Sequence, residues 1–469
     1  MSKRGDFMEQ DWTIILDFAY LSILIGVASV LKRIITPLSK VLIPNAVIAG
    51  FLGILFGPEV LKIIPFSYDR LGNLVYHLMA IGFIAIALKR TRRSTTKSSV
   101  NTGFLISMSY ALQGLVGFVV GIALVGLFFK DLFPPFGLLL ALGFAQGPGQ
   151  AYSLGSQWEA LGFTGGGAVG LSVSTLGFLW AAFGGIVMLN TMVYRKRQIG
   201  IQIEKPTVRK RIEATIRDFE FSDIDGFTIQ ILAVGIVYLV TYLFLKWFTG
   251  LIGGLGTFGE TFAQVLWGFH FVIGVLFAMG FRVIYEKIRK SEKYKTEYMN
   301  DFLLQRIGGG VFDFMVAASI AGISFSVIQE YIWPVIILTS VGGLFIAGYT
   351  IWFGKRIYEK APLEHIVTFF GMHTGTLSTG MALLREVDPT FETGTAEDMV
   401  FGSGLALFLG IPMLILLNIP ILGYRTGQPI YYLYFILGLA VYIGAMYFFW
   451  FRKAKIRSRE KKSQSVNSR

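Results

Sequence analysis

Residues 134–150 read PPFGLLLALGFAQGPGQ, a short apolar run that ends in a cluster of glycine, proline and glutamine. The run before Gln146 has about 12 mostly apolar residues, whereas a helix that crosses a bilayer needs about 20. Broken backbone at membrane depth is tolerated where it is buried in protein or lines a cavity. We therefore predict a re-entrant hairpin over about 134–161, with its tip at residues 146–150.

A second stretch has the same design, with a short apolar leg, the tip GMHTGTLSTG at residues 371–380 and a short return leg, over about 362–385. A constant offset of 228 residues (375 minus 147) aligns the two stretches and the spans that follow them. The aligned pairs are Pro134 with Pro362, Gly147 with Gly375, and Asn190 with Asn418. The pattern predicts an internal repeat.

The composition places the chain in a membrane. Of its 469 residues 54% are hydrophobic and 15% are charged, and the mean hydropathy is +0.62, whereas soluble domains carry about 25% charged residues. Apolar stretches near the length of a bilayer crossing recur from end to end. The predicted spans are 12–31, 43–64, 74–88, 103–129, 165–190, 226–248, 261–284, 302–328, 332–353, 398–422 and 431–451.

The charge pattern sets the direction of these spans. The net charge of +13 lies in short basic runs between apolar spans, as in the cytoplasmic loops of membrane proteins, so nucleic acid is not an expected partner. About eleven crossings and two re-entrant loops then place every basic run on one side. We expect a multi-pass protein of the bacterial inner (plasma) membrane, with its N-terminus outside and its C-terminus in the cytoplasm.

The predicted fold class is all-α and polytopic, with two inverted repeats of about five transmembrane helices plus a re-entrant hairpin each, and one extra C-terminal helix. The predicted boundaries are 12–194 for the first repeat, 195–225 for a basic cytoplasmic linker, 226–423 for the second repeat, 430–451 for the extra helix and 452–469 for a basic tail. Inverted repeats with interrupted helices near the midplane are typical of secondary transporters.

Both tips carry groups that suit a carboxylate solute and a hard cation, because helix N-termini attract anions while carbonyl and hydroxyl oxygens ligate cations. The candidate binding residues are Gln146, Gly147, Gly149, Gln150 and Ser153 at the first tip, and His373, Thr374, Gly375, Thr376, Ser378 and Thr379 at the second. Sodium is expected on hairpin carbonyls and on the hydroxyls of Thr374, Thr376 and Ser378. The alternative is that small residues at the tips only permit close helix packing.

Ionisable residues inside predicted spans are further candidates. Asp313 could ligate a cation or carry a coupling proton, or it could pair with Arg306. Arg385 could clamp a substrate carboxylate, or it could be an ordinary cytoplasmic basic residue. Asp17 could pair with a neighbouring helix or face a lumen.

At these residues the chain resembles the bacterial sodium/glutamate symporter family. IPNAVIAG at 43–50 is similar to that family's proline-broken second helix, and AQGPGQA at 145–151 and residues 371–382 occupy the places of its two hairpins. The similarity runs over about 36–423. It implies sodium-coupled glutamate uptake, a repeat of five spans plus a re-entrant loop, a homodimer with a central scaffold, and elevator-like movement of the hairpin domain.

The chain departs from the family at the first tip, where Gln146 replaces a histidine and Pro148 interrupts the glycines. The run from Arg385 to Asp388 is unusual, and the last span has no counterpart. The expected function is sodium-coupled symport of glutamate or a related amino acid or dicarboxylate, with membrane lipid as a partner and no cofactor besides sodium. The alternatives are another organic anion of the 2-hydroxycarboxylate kind, proton coupling, or a channel. An enzyme is not expected, since four histidines and no cysteine offer little for a catalytic or metal constellation.

Overall fold

The computed structural model describes residues 2–35, 43–89, 97–198, 226–254, 263, 266–289, 298–388 and 392–451. Most of the predicted linker, from residue 199 onward, and the predicted tail, 452–469, lie outside this part of the chain.

The described residues form helices joined by short connections, and they contain no strand. The helices before residue 200 are α1 Ser2–Ile34, α2 Asn45–Phe56, α3 Tyr68–Ala87, α4 Lys97–Leu127, α5 Pro148–Glu159, α6 Gly166–Leu179 and α7 Gly185–Gln198. Those after it are α8 Gly226–Gly253, α9 His270–Arg289, α10 Asp301–Ala321, α11 Phe325–Ile357, α12 Pro362–Thr374, α13 Leu377–Arg385, α14 Thr395–Leu409, α15 Ile411–Leu416, α16 Asn418–Thr426 and α17 Ile430–Met446. Tight or wide turns occupy Pro134–Leu138, Ala141–Ala145, Trp180–Gly184 and Tyr447–Phe451.

Seven helical stretches of the described residues are long and apolar enough to cross a bilayer, and an eighth forms if the pair Thr395–Ala406 and Ile411–Thr426, bent by 49°, counts as one span. The seven are Ile15–Ile34, Tyr68–Ala87, Lys97–Leu127, Gly166–Met192, Gly226–Gly253, Asp301–Ala321 and Gln329–Ile357. Only 22% of the first is buried inside the protein and only 33% of Gly226–Gly253. Because so much apolar surface faces outward, the helices indicate a polytopic membrane protein.

The count is lower than the predicted eleven crossings for local reasons. The predicted span 43–64 is helical only over the 12 residues of α2, since the chain turns at Gly57 and Pro58 follows it. α17 has 17 residues before its wide turn. Residues 261, 262, 264 and 265 of the predicted span 261–284 lie outside the described part of the chain, and α9, which follows them, carries Arg282, Glu286 and other charges in its second half. These three stretches therefore lack the length or the composition of a complete span.

The chain forms two compact units, each built from two separate segments. We call residues 1–93 with 147–332 the first unit, and residues 94–146 with 333–469 the second unit. Each unit thus takes chain from both predicted repeats, and the boundary between Gln146 and Gly147 falls at the predicted first tip.

The first unit is built around the antiparallel pair α3 and α10, which meet through glycines. A Cβ atom on Gly82 would lie 2.6 Å from Phe312, and one on Gly308 would lie 2.8 Å from Ile86. Only glycine allows helices to approach this closely. Around this pair, α2 packs on α10 and α9 on α3, while α1 packs on α2 and α8 on α9.

A partly buried ion pair joins α1 to α3 in the first unit. Arg70 Nε lies 2.6 Å from Asp17 Oδ2, and its Nη2 lies 3.1 Å from Oδ1. Asp17 is therefore the partner of a neighbouring helix, the first of its two interpretations.

In the second unit α4 packs against α14, α17 and the turns at 134–145. A Cβ atom on Gly117 would lie 2.1 Å from the Gly137 carbonyl oxygen, so the 134–145 segment lies directly on α4. α12 and α13 pack on each other with Gly371 against Gly380. The second unit thus places two short helices and a broken segment beside one long helix.

Candidate functional site at the two chain breaks

The second break lies between α12 and α13, where the chain leaves one helix at Thr374 and starts the next at Leu377. Gly375 adopts φ −131° and ψ −106°, which ends α12. Thr376 then caps α13, because its side chain accepts from the backbone of Thr379 while the Thr379 hydroxyl accepts from the Thr376 N–H at 2.8 Å. This reciprocal capping fixes the direction in which the N-terminus of α13 points.

The hydroxyl protons of Thr374 and Thr379 are used within the hairpin. Thr374 Oγ1 donates to the Phe370 carbonyl at 2.8 Å, and Thr379 Oγ1 lies 2.7 Å from the carbonyls of both Gly371 and Thr376. Their oxygen lone pairs remain the groups that a cation would use. A sodium site on Thr374, Thr376 and Ser378 stays a prediction, and the Ser378 side chain lies outside the described side chains.

His373, in the last turn of α12, has an unusual environment. The side chain is fully buried, and neither Nδ1 nor Nε2 has a hydrogen-bond partner among the described residues. Its ring stacks on Phe369 with centroids 4.1 Å apart and lies 5.7 Å from the Tyr110 ring. Aromatic rings thus hold the imidazole in place while both of its nitrogens remain available.

Gln113, on α4, lies next to this histidine and was not among the residues predicted from the sequence. Its amide nitrogen donates to Ser109 Oγ at 3.1 Å and lies 3.4 Å from the His373 carbonyl oxygen. Its Oε1 is buried and has no partner among the described residues. The sequence signal that could have identified Gln113 is its position in the middle of an apolar span, because an amide side chain there is costly in a membrane unless it has a role.

Gln146 also belongs to the second unit and lies near the same turn of α4. Its amide nitrogen lies 3.9 Å from Met413 Sδ, and its Oε1 is buried without a partner among the described residues. Met413 lies against Gly114, the neighbour of Gln113 in the chain. The second unit thus contains two amide oxygens and one imidazole that have no hydrogen-bond partner among the described residues.

The first break, in the first unit, begins at Gly147 with φ 94°, a conformation that glycine adopts readily and other residues rarely. Pro148 then starts α5, where its missing N–H costs nothing. A Cβ atom on Gly149 would lie 2.4 Å from Met79, so this glycine permits the close contact of α5 with α3.

Gln150 and Ser153 lie in the first turns of α5 and are both buried. Ser153 Oγ donates to the Gly268 carbonyl at 3.2 Å, whereas Gln150 Oε1 has no partner among the described residues. Two residues after Gly268, His270 stacks on Tyr76 with centroids 3.7 Å apart and leaves its Nδ1 without a partner in the described chain. The first break therefore also has an amide oxygen and an imidazole nitrogen without a partner in the described part of the chain.

Two predicted residues lie away from the breaks. Asp313 is exposed on α10, and no ion pair joins it to Arg306 among the described residues. The Arg306 guanidinium lies instead 5.5 Å from the centroid of the Phe302 ring. Arg385 is the last residue of α13, about 12 Å along the helix from its N-terminus. The proposed roles of Asp313 and Arg385 stay predictions.

The described residues contain no group of three or more His, Cys, Asp or Glu side chains that could hold a metal ion. The two breaks therefore offer neutral amides, imidazoles, hydroxyls and helix N-termini.

No protein-family model matches the chain, and a search of the curated proteins gave no match. The assignment to a class of protein thus depends on the fold and on the two breaks.

Proposed function

We propose that the protein is a secondary active transporter that carries glutamate, or a related amino acid or dicarboxylate, together with sodium. The observation that carries this proposal is a set of buried groups in the second unit, on Gln113, Gln146 and His373, that have no hydrogen-bond partner among the described residues. Gln113 and His373 lie together at the break between α12 and α13. A buried polar group without a partner costs about 1–3 kcal/mol. Such groups gathered at an interrupted helix are explained if a solute completes their hydrogen bonds.

The chemistry of these groups favours an amino acid. Amide oxygens accept from an ammonium group, and the N-terminus of α13, with its partial positive charge, attracts a carboxylate. A neutral imidazole can donate to a second carboxylate through one nitrogen. A solute with one ammonium and two carboxylates would use all three.

The repeated order of elements supports the two related halves that such a transporter needs. Pro134 and Pro362, 228 residues apart, each begin a short broken or helical leg, and Gly147 and Gly375 each precede the helix that follows. The next helices, α6 and α14, start after Gly165 and Gly394, which have φ 70° and φ 77°. The same local sequence rule thus operates twice at nearly the same spacing.

The packing of the first unit supports inversion of the halves. Gly82 contacts Phe312, and Ile86 contacts Gly308. A shift of 226 residues makes Gly82 equivalent to Gly308 (308 minus 82) and Ile86 equivalent to Phe312 (312 minus 86), so the two contacts are the same contact with the halves exchanged. Reciprocal contacts of this kind are those of a two-fold axis between equivalent elements. Since α3 and α10 run antiparallel, such an axis relates halves of opposite direction, as in inverted-repeat transporters.

The proposed mechanism is alternating access in which a hairpin-bearing body moves against a scaffold. The α3–α10 pair and the four helices around it, α1, α2, α8 and α9, suit a scaffold, because equivalent helices make equivalent contacts there. A homodimer with the scaffold at its centre is part of the same proposal.

The test is uptake of labelled glutamate by purified protein in liposomes. We expect uptake under an inward sodium gradient and little uptake when potassium replaces sodium. Uptake that is unchanged in potassium but driven by an acidic exterior would show that the coupling ion is a proton and not sodium. Competition by 2-hydroxycarboxylates would show that the solute is an organic anion of that kind. Single-channel currents in a planar bilayer would refute a carrier.

A further inference from the structure

A buried histidine and a buried aspartate meet in the second unit, away from the break. His365 lies in the first turn of α12 and Asp398 in the first turn of α14, and their side chains are 3% and 9% exposed. His365 Nε2 lies 3.1 Å from Asp398 Oδ2. Ser99, from α4, donates to the other carboxylate oxygen at 2.6 Å.

The second ring nitrogen of His365 also faces an acceptor. Nδ1 lies 2.8 Å from the carbonyl oxygen of Ala361, which has no hydrogen to give. Ala361 itself has φ 47°, a left-handed conformation that alanine adopts rarely, and its carbonyl also receives the His365 N–H at 3.1 Å. The ring is thus part of the structure that holds this strained turn.

The two contacts require two hydrogens. A neutral imidazole has one N–H, so it can donate to the Ala361 carbonyl or to the Asp398 carboxylate but not to both. With a neutral ring and an ionised carboxylate, one nitrogen lone pair would face an oxygen lone pair at 3.1 Å or less. The geometry is satisfied when the pair holds one further proton, on the ring or on the carboxyl group.

We propose that His365 and Asp398 form a proton-binding site that fastens the start of α12 to α14. The ligand is a single proton, shared between Nε2 and Oδ2. Loss of this proton places two lone pairs against each other and weakens the contact between the two helices. The inference concerns binding of a proton and does not depend on the transport activity proposed above.

The other groups around the ring favour this assignment. Tyr358, after α11, stacks on His365 with centroids 3.8 Å apart, and its hydroxyl lies 2.7 Å from Thr102 Oγ1. Burial raises the pKa of Tyr358, with a further contribution from the charge of Asp398, so this residue stays neutral. Thr395 Oγ1 is uncharged and lies 3.2 Å from Nδ1. The Ala361 carbonyl oxygen is closer to Nδ1, at 2.8 Å, and as a pure acceptor it requires the hydrogen to be on the ring.

The next carboxylate is satisfied by other donors. Asp388 accepts from the backbone N–H groups of Glu392 and Thr393, each at 3.0 Å, and from the Thr393 hydroxyl. Two glutamates precede the pair in the chain: Glu364 comes directly before His365 in α12, and Glu397 comes directly before Asp398 in α14 and is exposed. Asp398 is thus the carboxylate that faces the ring.

The arrangement differs from that of a catalytic triad. In a triad the serine hydroxyl donates to the histidine, whereas here Ser99 donates to the aspartate. Through this hydrogen bond Ser99 stabilises the carboxylate.

The direct test is ¹⁵N NMR of the full chain labelled at histidine, in detergent micelles, from pH 5 to 9. The chain has four histidines, so single His77→Gln, His270→Gln and His373→Gln variants assign the His365 signals by elimination. At pH 6 to 7 we expect either N–H hydrogens on both nitrogens of His365, or a neutral ring together with an infrared band of a protonated carboxyl group that Asp398→Asn removes. A neutral ring beside an ionised Asp398 in this range would overturn the proposal.

Discussion

The Gln113→Leu variant separates a binding role from a packing role at the second break. Leucine is an apolar residue of similar volume that lacks the amide. The exchange removes a donor that makes one bond of 3.1 Å to Ser109 and a weaker contact of 3.4 Å to the His373 carbonyl. It also removes Oε1, a buried acceptor that has no partner among the described residues.

The expected change in stability follows from these contacts. Loss of the amide hydrogen bond costs about 1 kcal/mol, and removal of a buried unpaired acceptor returns about 1–3 kcal/mol. The variant should therefore be as stable as the parent or up to about 2 kcal/mol more stable. If Oε1 accepts from a ligand ammonium, loss of that charged hydrogen bond, worth about 1.5–3 kcal/mol, weakens glutamate binding about 10- to 150-fold.

The assay is a thermal-shift titration of the purified protein with glutamate and sodium, since a solute that binds the native state raises its apparent stability. The matched control is Gln230→Leu. Gln230 is a fully buried glutamine in the first unit, and all of its groups are bonded, to the carbonyls of Gly226 and Tyr298 and to the Asn300 N–H. The control should lose about 1–3 kcal/mol of stability and keep its affinity. Unchanged affinity in a stable Gln113→Leu protein would refute a ligand contact at Oε1.

Two further predictions concern the first unit. Gly50→Ala should destabilise the protein by about 1–3 kcal/mol, because the new Cβ would lie 2.4 Å from Ile320 Cβ, which cannot swing aside. The control Gly26→Ala has nothing within 4 Å of its new Cβ and should be neutral or stabilising by up to about 1 kcal/mol. Equal melting curves for the two variants would argue against the contact between α2 and α10. Asp17→Asn should lower the free energy of unfolding, measured by chemical denaturation, by about 1–2 kcal/mol. This is less than for a fully buried pair, because the Arg70 side chain is 31% exposed. Adding Arg70→Gln should recover part of the loss, and full additivity of the two changes would contradict the pairing.

The sequence predicted the helical membrane class and the two breaks for a local reason. Hydropathy over about 20 residues and the positions of proline and glycine act within one stretch of chain. The structure begins α5 and α12 at Pro148 and Pro362 and ends α12 beside Gly375. The ends of apolar runs were less predictable, as α2 shows, because the chain turns at Gly57 well before its apolar residues end.

The hydroxyls of the second tip show how a local pattern can have two interpretations. Thr376 and Thr379 were predicted as ligands, and in the structure they also form a capping box. Both interpretations use the same residues at the same spacing. The sequence contains no sign of which carbonyl each hydroxyl meets.

By itself, the sequence determined that the chain crosses a membrane, where its helices are interrupted and which polar residues stand at the interruptions, because these properties depend on neighbours in the chain. Only the tertiary structure decided which polar groups have partners. Gln113 is 260 residues from His373, Asp17 is 53 from Arg70 and His365 is 33 from Asp398. The energy of a buried polar group depends on the atoms within about 3 Å of it, and folding alone determines which atoms those are.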